Sequence, residues 1–246
     1  MSSETTAIQM RKLSSREIAL IVCFAALYAA TSHIPLFPVI GAQSRAISAG
    51  TIMSLIIGLI LGALLGGLAT LIGGLASIAV NFGQGALGLF SPVPHIAAAL
   101  CAGALKNKKQ AECVFSYLLI FIFFSFFPFV GPVWIWPQML WLHVISMIIM
   151  ASPIQSMAIK NISENDATKL TFGVAITMFT STLFSQLVGS TVFEILNLGN
   201  RDCGYWLGVW QSVTLFYPLE RAIITAAATT VTVPALKALR KYRFKI

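Results

Sequence analysis

Ile52-Met-Ser-Leu-Ile-Ile-Gly-Leu-Ile-Leu-Gly-Ala-Leu-Leu-Gly-Gly-Leu-Ala-Thr-Leu-Ile72 runs without a single charged side chain, and its reading decides the fold. A helix that crosses a bilayer needs roughly 20 predominantly apolar residues. Ile18–Thr31 and Val114–Val130 are nearly as free of charge. Lipid offers the backbone no hydrogen-bond partners, so several such runs mean helices that satisfy their own amides. Barrel strands would alternate apolar and polar positions, and these runs do not. Hydrophobic residues make up 57% of the 246, and charged residues only 10%. The expectation is an all-α integral membrane protein, a polytopic bundle of about six to eight transmembrane helices.

Eight segments carry this reading, at about 17–37, 47–64, 66–80, 92–105, 113–131, 138–158, 169–194 and 207–236. The second and third meet at Gly66 and Gly67 with no polar loop between them, which points to a tight hairpin or tilted short helices. Small residues four apart (Gly58, Gly62 and Gly66, then Ala63 and Gly67) let helix backbones approach closely. One transmembrane domain is expected over 17–236, between an N-terminal tail (1–16) and a basic C-terminal tail (237–246). Arg11, Lys12 and Arg16 before an apolar stretch give the N-terminus the look of a signal sequence. No convincing small-residue cleavage site follows, so the stretch reads as a retained first helix.

Charge placement orients the bundle. With the N-terminus inside, thirteen of the sixteen lysines and arginines fall on one side, at the N-terminus, Lys106–Lys109, Lys160, Lys169 and the C-terminal tail. The outer half keeps Arg45, Arg201 and Arg221. Basic residues concentrate in cytoplasmic loops, so both termini are expected in the cytoplasm of a multi-pass cell-membrane protein. The formal charge of +8 then reflects topology and anionic headgroups, and no nucleic-acid partner is expected. Cys23, Cys101, Cys113 and Cys203 form no CxxC pair, and the three histidines stand far apart without carboxylate partners. No metal and no cofactor are expected. The chain has no GxxxxGK[ST] phosphate loop, no HExxH zinc site and no GxSxG elbow; an enzyme is not expected.

Polar chemistry gathers in the expected outer loops. One runs from Asn81 through Gln84 to His95, rich in glycine and proline; the next holds Trp134, Trp136 and Gln138; a third runs from Glu194 to Trp210. Interfacial tryptophans anchor at headgroups or stack on ligands. Glu220 and Arg221 follow Pro218 inside the last apolar segment. Intramembrane charges are costly and face a cavity or a partner. Neighbours on a helix point about 100° apart, so one of this pair is expected to meet a ligand or another helix. The candidate ligand-binding set is therefore Asn81, Gln84, His95, Trp134, Trp136, Gln138, Glu220 and Arg221.

The alanine-rich Ala19–Ala30, the glycine-rich Leu59–Gly74, the small-residue Pro94–Lys109 and the closing Pro218–Ile224 with the basic Leu236–Lys241 fall within about 120 residues of the chain (19–109 and 218–241). Together they resemble the substrate-binding S components of energy-coupling-factor (ECF) vitamin transporters. The first helix, Ala19-Leu-Ile-Val-Cys-Phe-Ala-Ala-Leu-Tyr-Ala-Ala30, holds AxxxA twice, as Ala25/Ala29 and Ala26/Ala30. Leu59–Gly74 is similar to that family's glycine-punctuated turn, and Pro94–Lys109 to its small-residue helix with a basic end. Pro218-Leu-Glu-Arg-Ala-Ile-Ile and the basic Leu236-Lys-Ala-Leu-Arg-Lys are similar to its closing helix. Six membrane helices are usual there, and eight segments are expected here.

The resemblance implies a subunit that captures a vitamin-like molecule at the outer face. It would dock on a transmembrane coupling subunit with two ATPase subunits, through the alanine surface Ala25, Ala26, Ala29 and Ala30, and reorient to release its cargo. The other reading is a self-contained secondary transporter of a small organic solute, which predicts paired broken helices at the site.

Overall fold

The computed structural model describes residues 13–41, 45–80 and 87–241. Ser14 opens the first helix, α1 (Ser15–Thr31), with a reciprocal cap: the Glu17 amide donates to Ser14 Oγ at 3.2 Å, and the Ser14 amide to Glu17 Oε2 at 2.9 Å. The helix stops short of the expected boundary at 37. Residues preceding proline avoid helical geometry, and Ile34 precedes Pro35; the chain instead forms an antiparallel hairpin of β1 (Pro35–Pro38) and β2 (Ala46–Ser48).

The opening apolar run becomes two helices, α2 (Gly50–Leu61) and α3 (Ala63–Val80). Gly62 separates them with φ +83°, a conformation open to glycine at little cost, and the chain turns back on itself. Gly58 permits the next contact: a Cβ there would lie 2.6 Å from the Cα of Ala99, so glycine is what lets α2 touch the backbone of α4 (Pro92–Lys106).

After α5 (Gln110–Ser125) come the short α6 (Pro132–Ile135), a 3-10 turn over Pro137–Leu140, α7 (Trp141–Ala151) and α8 (Pro153–Asn161). The sixth expected segment is thus a bent pair, with 66° between its halves. Pro153 has no amide to continue α7, and Ser152 Oγ accepts from the Ile154 amide at 3.2 Å to start α8. Asp166 caps α9 (Ala167–Asn197) by accepting from the Lys169 amide at 2.8 Å. The last helix, α10 (Cys203–Lys241), carries Pro218 and Pro234 within it.

Every one of the eight expected segments contains a helix, but their lengths differ. Four helical stretches among the described residues are long and apolar enough to cross a membrane: Ala63–Val80, Gly88–Lys106, Ala167–Asn197 and Cys203–Lys241. The bent pair makes a fifth if counted as one span. With 12 residues, α2 rises about 18 Å, well short of the roughly 30 Å hydrocarbon core. The outer surface matches these lengths: Phe129 is 82% exposed, Leu215 76% and Leu64 66%. Such a skin suits an apolar solvent and would drive aggregation in water. These are the features of an all-α helical protein of membrane type.

Helix α9 is the hub. Its most apolar window is 61% buried against 28–33% for the other three long stretches, and it packs on α4, α5, α7, α8 and α10. A stripe of small hydroxyls makes this possible, and Gln155 of α8 ties into it, donating to Thr177 Oγ1 at 3.2 Å and accepting from Thr180 at 3.0 Å. At one end of the bundle lie the C-termini of α2, α4, α8 and α10. Lys106 Nζ donates there to the Ile60 carbonyl at 2.7 Å, and Arg240 to the carbonyls of Ile162 and Glu164. Basic side chains thus finish helices by meeting their last carbonyls.

Candidate ligand-binding cavity

At the opposite end, the chain encloses a cavity of about 330 Å³. Its walls are the C-terminal turns of α1 and α3, the first turns of α2 and α4, the second half of α9 and the first half of α10. The β1–β2 hairpin lies across it, contributing Pro35, Val39, Ile40 and Ser48 to the lining. The Tyr205 hydroxyl of α10 holds this roof by donating to the Gly41 carbonyl at 2.5 Å.

His95, one of the expected site residues, lines the cavity from α4. Both ring nitrogens are already engaged: Tyr28 Oη of α1 lies 2.5 Å from Nδ1 and Thr51 Oγ1 of α2 3.0 Å from Nε2. A neutral imidazole donates from one nitrogen and accepts at the other, and hydroxyls can serve either. The ring therefore joins three helices into one wall. Ser185 of α9 completes the frame by donating to the Pro94 carbonyl at 2.7 Å, and Ser32 and Ser77 tie α1 to α3 with hydroxyls 2.6 Å apart.

Arg221 lines the facing wall and is 4% exposed. Its Nη2 donates to Glu220 Oε2 at 3.4 Å, longer than the usual 2.7–2.9 Å for such a charge-assisted bond. Its guanidinium carbon sits 5.0 Å from the ring centroid of Tyr217. Nε is buried without a hydrogen-bond partner. Tyr217, Val213 and Trp210 precede Arg221 at intervals of four, four and three, a single stripe on α10 facing the cavity. Trp210 is anchored by donating from Nε1 to the Val130 carbonyl at 2.9 Å. From α9, Ser185, Gln186, Gly189, Ser190 and Phe193 form the matching stripe, and Gln186 Oε1 is buried with no partner.

Of the expected set, His95 and Arg221 thus share one cavity. Glu220 is buried beside Arg221 but is not part of the lining, while Trp134 (61% exposed), Trp136 and Gln138 lie on or near the 3-10 turn outside it. Asn81 and Gln84 lie outside the described residues. The expected ligand-binding set does not include Gln186, Phe193, Trp210 and Tyr217, of which only Trp210 stands in an expected outer loop, at its end. Their signal was polar and aromatic residues at helical spacing within apolar segments, not clustering in loops. On α1, Ala25 is buried, Ala29 half-buried, and Ala26 and Ala30 exposed. With exposed Ala19 and Cys23 they make a smooth outward strip.

Compared with protein-family models, curated proteins and solved structures, the chain matches none.

Proposed function

We propose that this chain is the membrane-embedded substrate-binding subunit of an ECF-type transporter, which captures a vitamin-like small molecule from outside the cell for uptake driven by a separate energising module. The observation that carries the reading is the roofed cavity at the end of the bundle remote from the basic helix ends. By the positive-inside rule the basic end faces the cytoplasm, so the cavity faces outward in the cell membrane. Its volume falls at the lower end of the roughly 300–1,000 Å³ typical of ligand pockets.

A binding subunit of this kind would rely on a transmembrane coupling subunit and ATPase subunits, with the Ala26/Ala30 strip as the contact. Small side chains four apart allow the close, reversible helix packing such docking needs. A self-contained secondary transporter would set helix breaks at the substrate site. Among the described residues the breaks at Gly62 and at Ser152–Pro153 do not line the cavity, and Pro218, beside the lining residue Tyr217, leaves α10 a continuous helix, which favours the subunit reading.

The test separates docking from binding. Ala26→Leu/Ala30→Leu is expected to abolish uptake in cells and co-purification of the coupling and ATPase subunits, while the purified variant keeps its small-molecule binding. Uptake at the wild-type rate in that double variant refutes the proposal, as does uptake by the reconstituted chain alone under an ion gradient.

A further inference from the structure

We infer, resting on the reading of the cavity as a ligand site, that its occupant is a small ring-bearing organic acid whose anionic group pairs with Arg221. A guanidinium carries five N–H donors. Among the described residues Arg221 uses one of them, in the long contact to Glu220, and its Nε is buried with no partner. A charge at this depth is retained where a partner or cavity compensates it. Glu220 offsets it only in part, since it approaches a single edge of the fork.

No Asp or Glu contributes to the cavity lining among the described residues. Within the cavity, among the described residues, Arg221 therefore meets no side-chain acceptor able to take two parallel N–H bonds. Carboxylate and phosphate both fit that fork. The remainder of the lining sets the rest of the molecule. Trp210, Phe193 and Tyr217 make part of the lining aromatic, and a cavity this small suits one or two rings, not a macrocycle or a dinucleotide. Gln186 Oε1, buried and without a donor, calls for an N–H or O–H on the ligand. His95 is already saturated by Tyr28 and Thr51, so it bounds the site without competing for the anion.

The experiment is purification of the full chain in mild detergent, denaturing release of bound small molecules, and their identification by mass spectrometry. The expected compound is a ring-bearing carboxylate or phosphate, and its mass distinguishes the two. Arg221→Gln, with its thermal unfolding measured alongside, is expected to bind the identified compound about 100-fold more weakly, the scale of truncating one partner of a buried charge pair. A neutral or cationic compound from the wild type, or an acid held equally by folded Arg221→Gln, overturns the inference and leaves the binding-subunit reading standing. Wild-type protein that carries and binds no small molecule overturns both. If Arg221→Gln does not fold, the charge of the compound released from the wild type decides alone.

Discussion

Gly58→Ala tests whether close packing at the bundle's interior sets the geometry of the cavity. The added Cβ would meet the Ala99 Cα at 2.6 Å, where ordinary carbon contacts begin near 3.5 Å. Ala99 contributes backbone there, so no side chain can swing aside, and α2 must move from α4 by about 1 Å. Two bonds bridge these helices on either side of the contact: Thr51 to His95 at 3.0 Å and Lys106 to the Ile60 carbonyl at 2.7 Å. A separation of that size takes both past hydrogen-bonding distance. Overpacking costs about 1–3 kcal/mol and each of the two lost bonds about 1 kcal/mol, which together make about 3–5 kcal/mol. For a domain of this length that is a fall in unfolding midpoint of on the order of 10 °C, readable by intrinsic tryptophan fluorescence in detergent. Ligand affinity should fall too, because Thr51 and His95 are cavity walls. An unfolding midpoint within 2 °C of wild type, an allowance of about 1 kcal/mol, would show that α2 and α4 are not locked in this way.

Tyr205→Phe removes the hydroxyl that ties the hairpin roof to α10; losing one bond of about 1 kcal/mol should speed ligand release about fivefold, and an unchanged dissociation rate in stopped-flow measurements would exclude the tether. Trp134→Ala and Gln138→Ala, both outside the cavity, should leave equilibrium binding within about twofold of wild type, in keeping with the small effects of changes at exposed sites; a tenfold loss would move the site to the 3-10 turn. Gln155→Leu strips the bridge between α8 and α9 and should cost about 0.6–1.7 kcal/mol, the range for hydrogen bonds between membrane helices, seen as a lower unfolding midpoint with binding unaltered. Arg240→Ala uncovers the carbonyls of Ile162 and Glu164 and should raise amide exchange in the α8–α9 connection without changing affinity, whereas unaltered exchange would exclude Arg240 as its cap.

The eight apolar segments and the gathering of basic residues at one set of helix ends were legible in the chain because hydropathy and charge are summed locally, residue by residue. A hairpin between the second and third segments was legible too, but it was expected at Gly66 and Gly67 and the chain turns four residues earlier, at Gly62, where φ is +83°. Arg221 was legible as a charge in need of a partner. Helix length was less legible: Pro35 and Pro153 cut two segments short or bent them, yet apolar residues continue on both sides. Only the tertiary structure decided which faces look inward. It brought Tyr28, His95, Gln186 and Arg221 to one cavity across nearly 200 positions of sequence, left Trp134 outside it, and turned Ala25 in and Ala26 out. The physical reason lies in the solvent. In water a buried face is apolar and an exposed one polar, so periodicity reveals the inside. Against lipid both faces are apolar, and the rotation of each helix is set by close contacts such as Gly58 on Ala99 and by a few polar groups that must find one another.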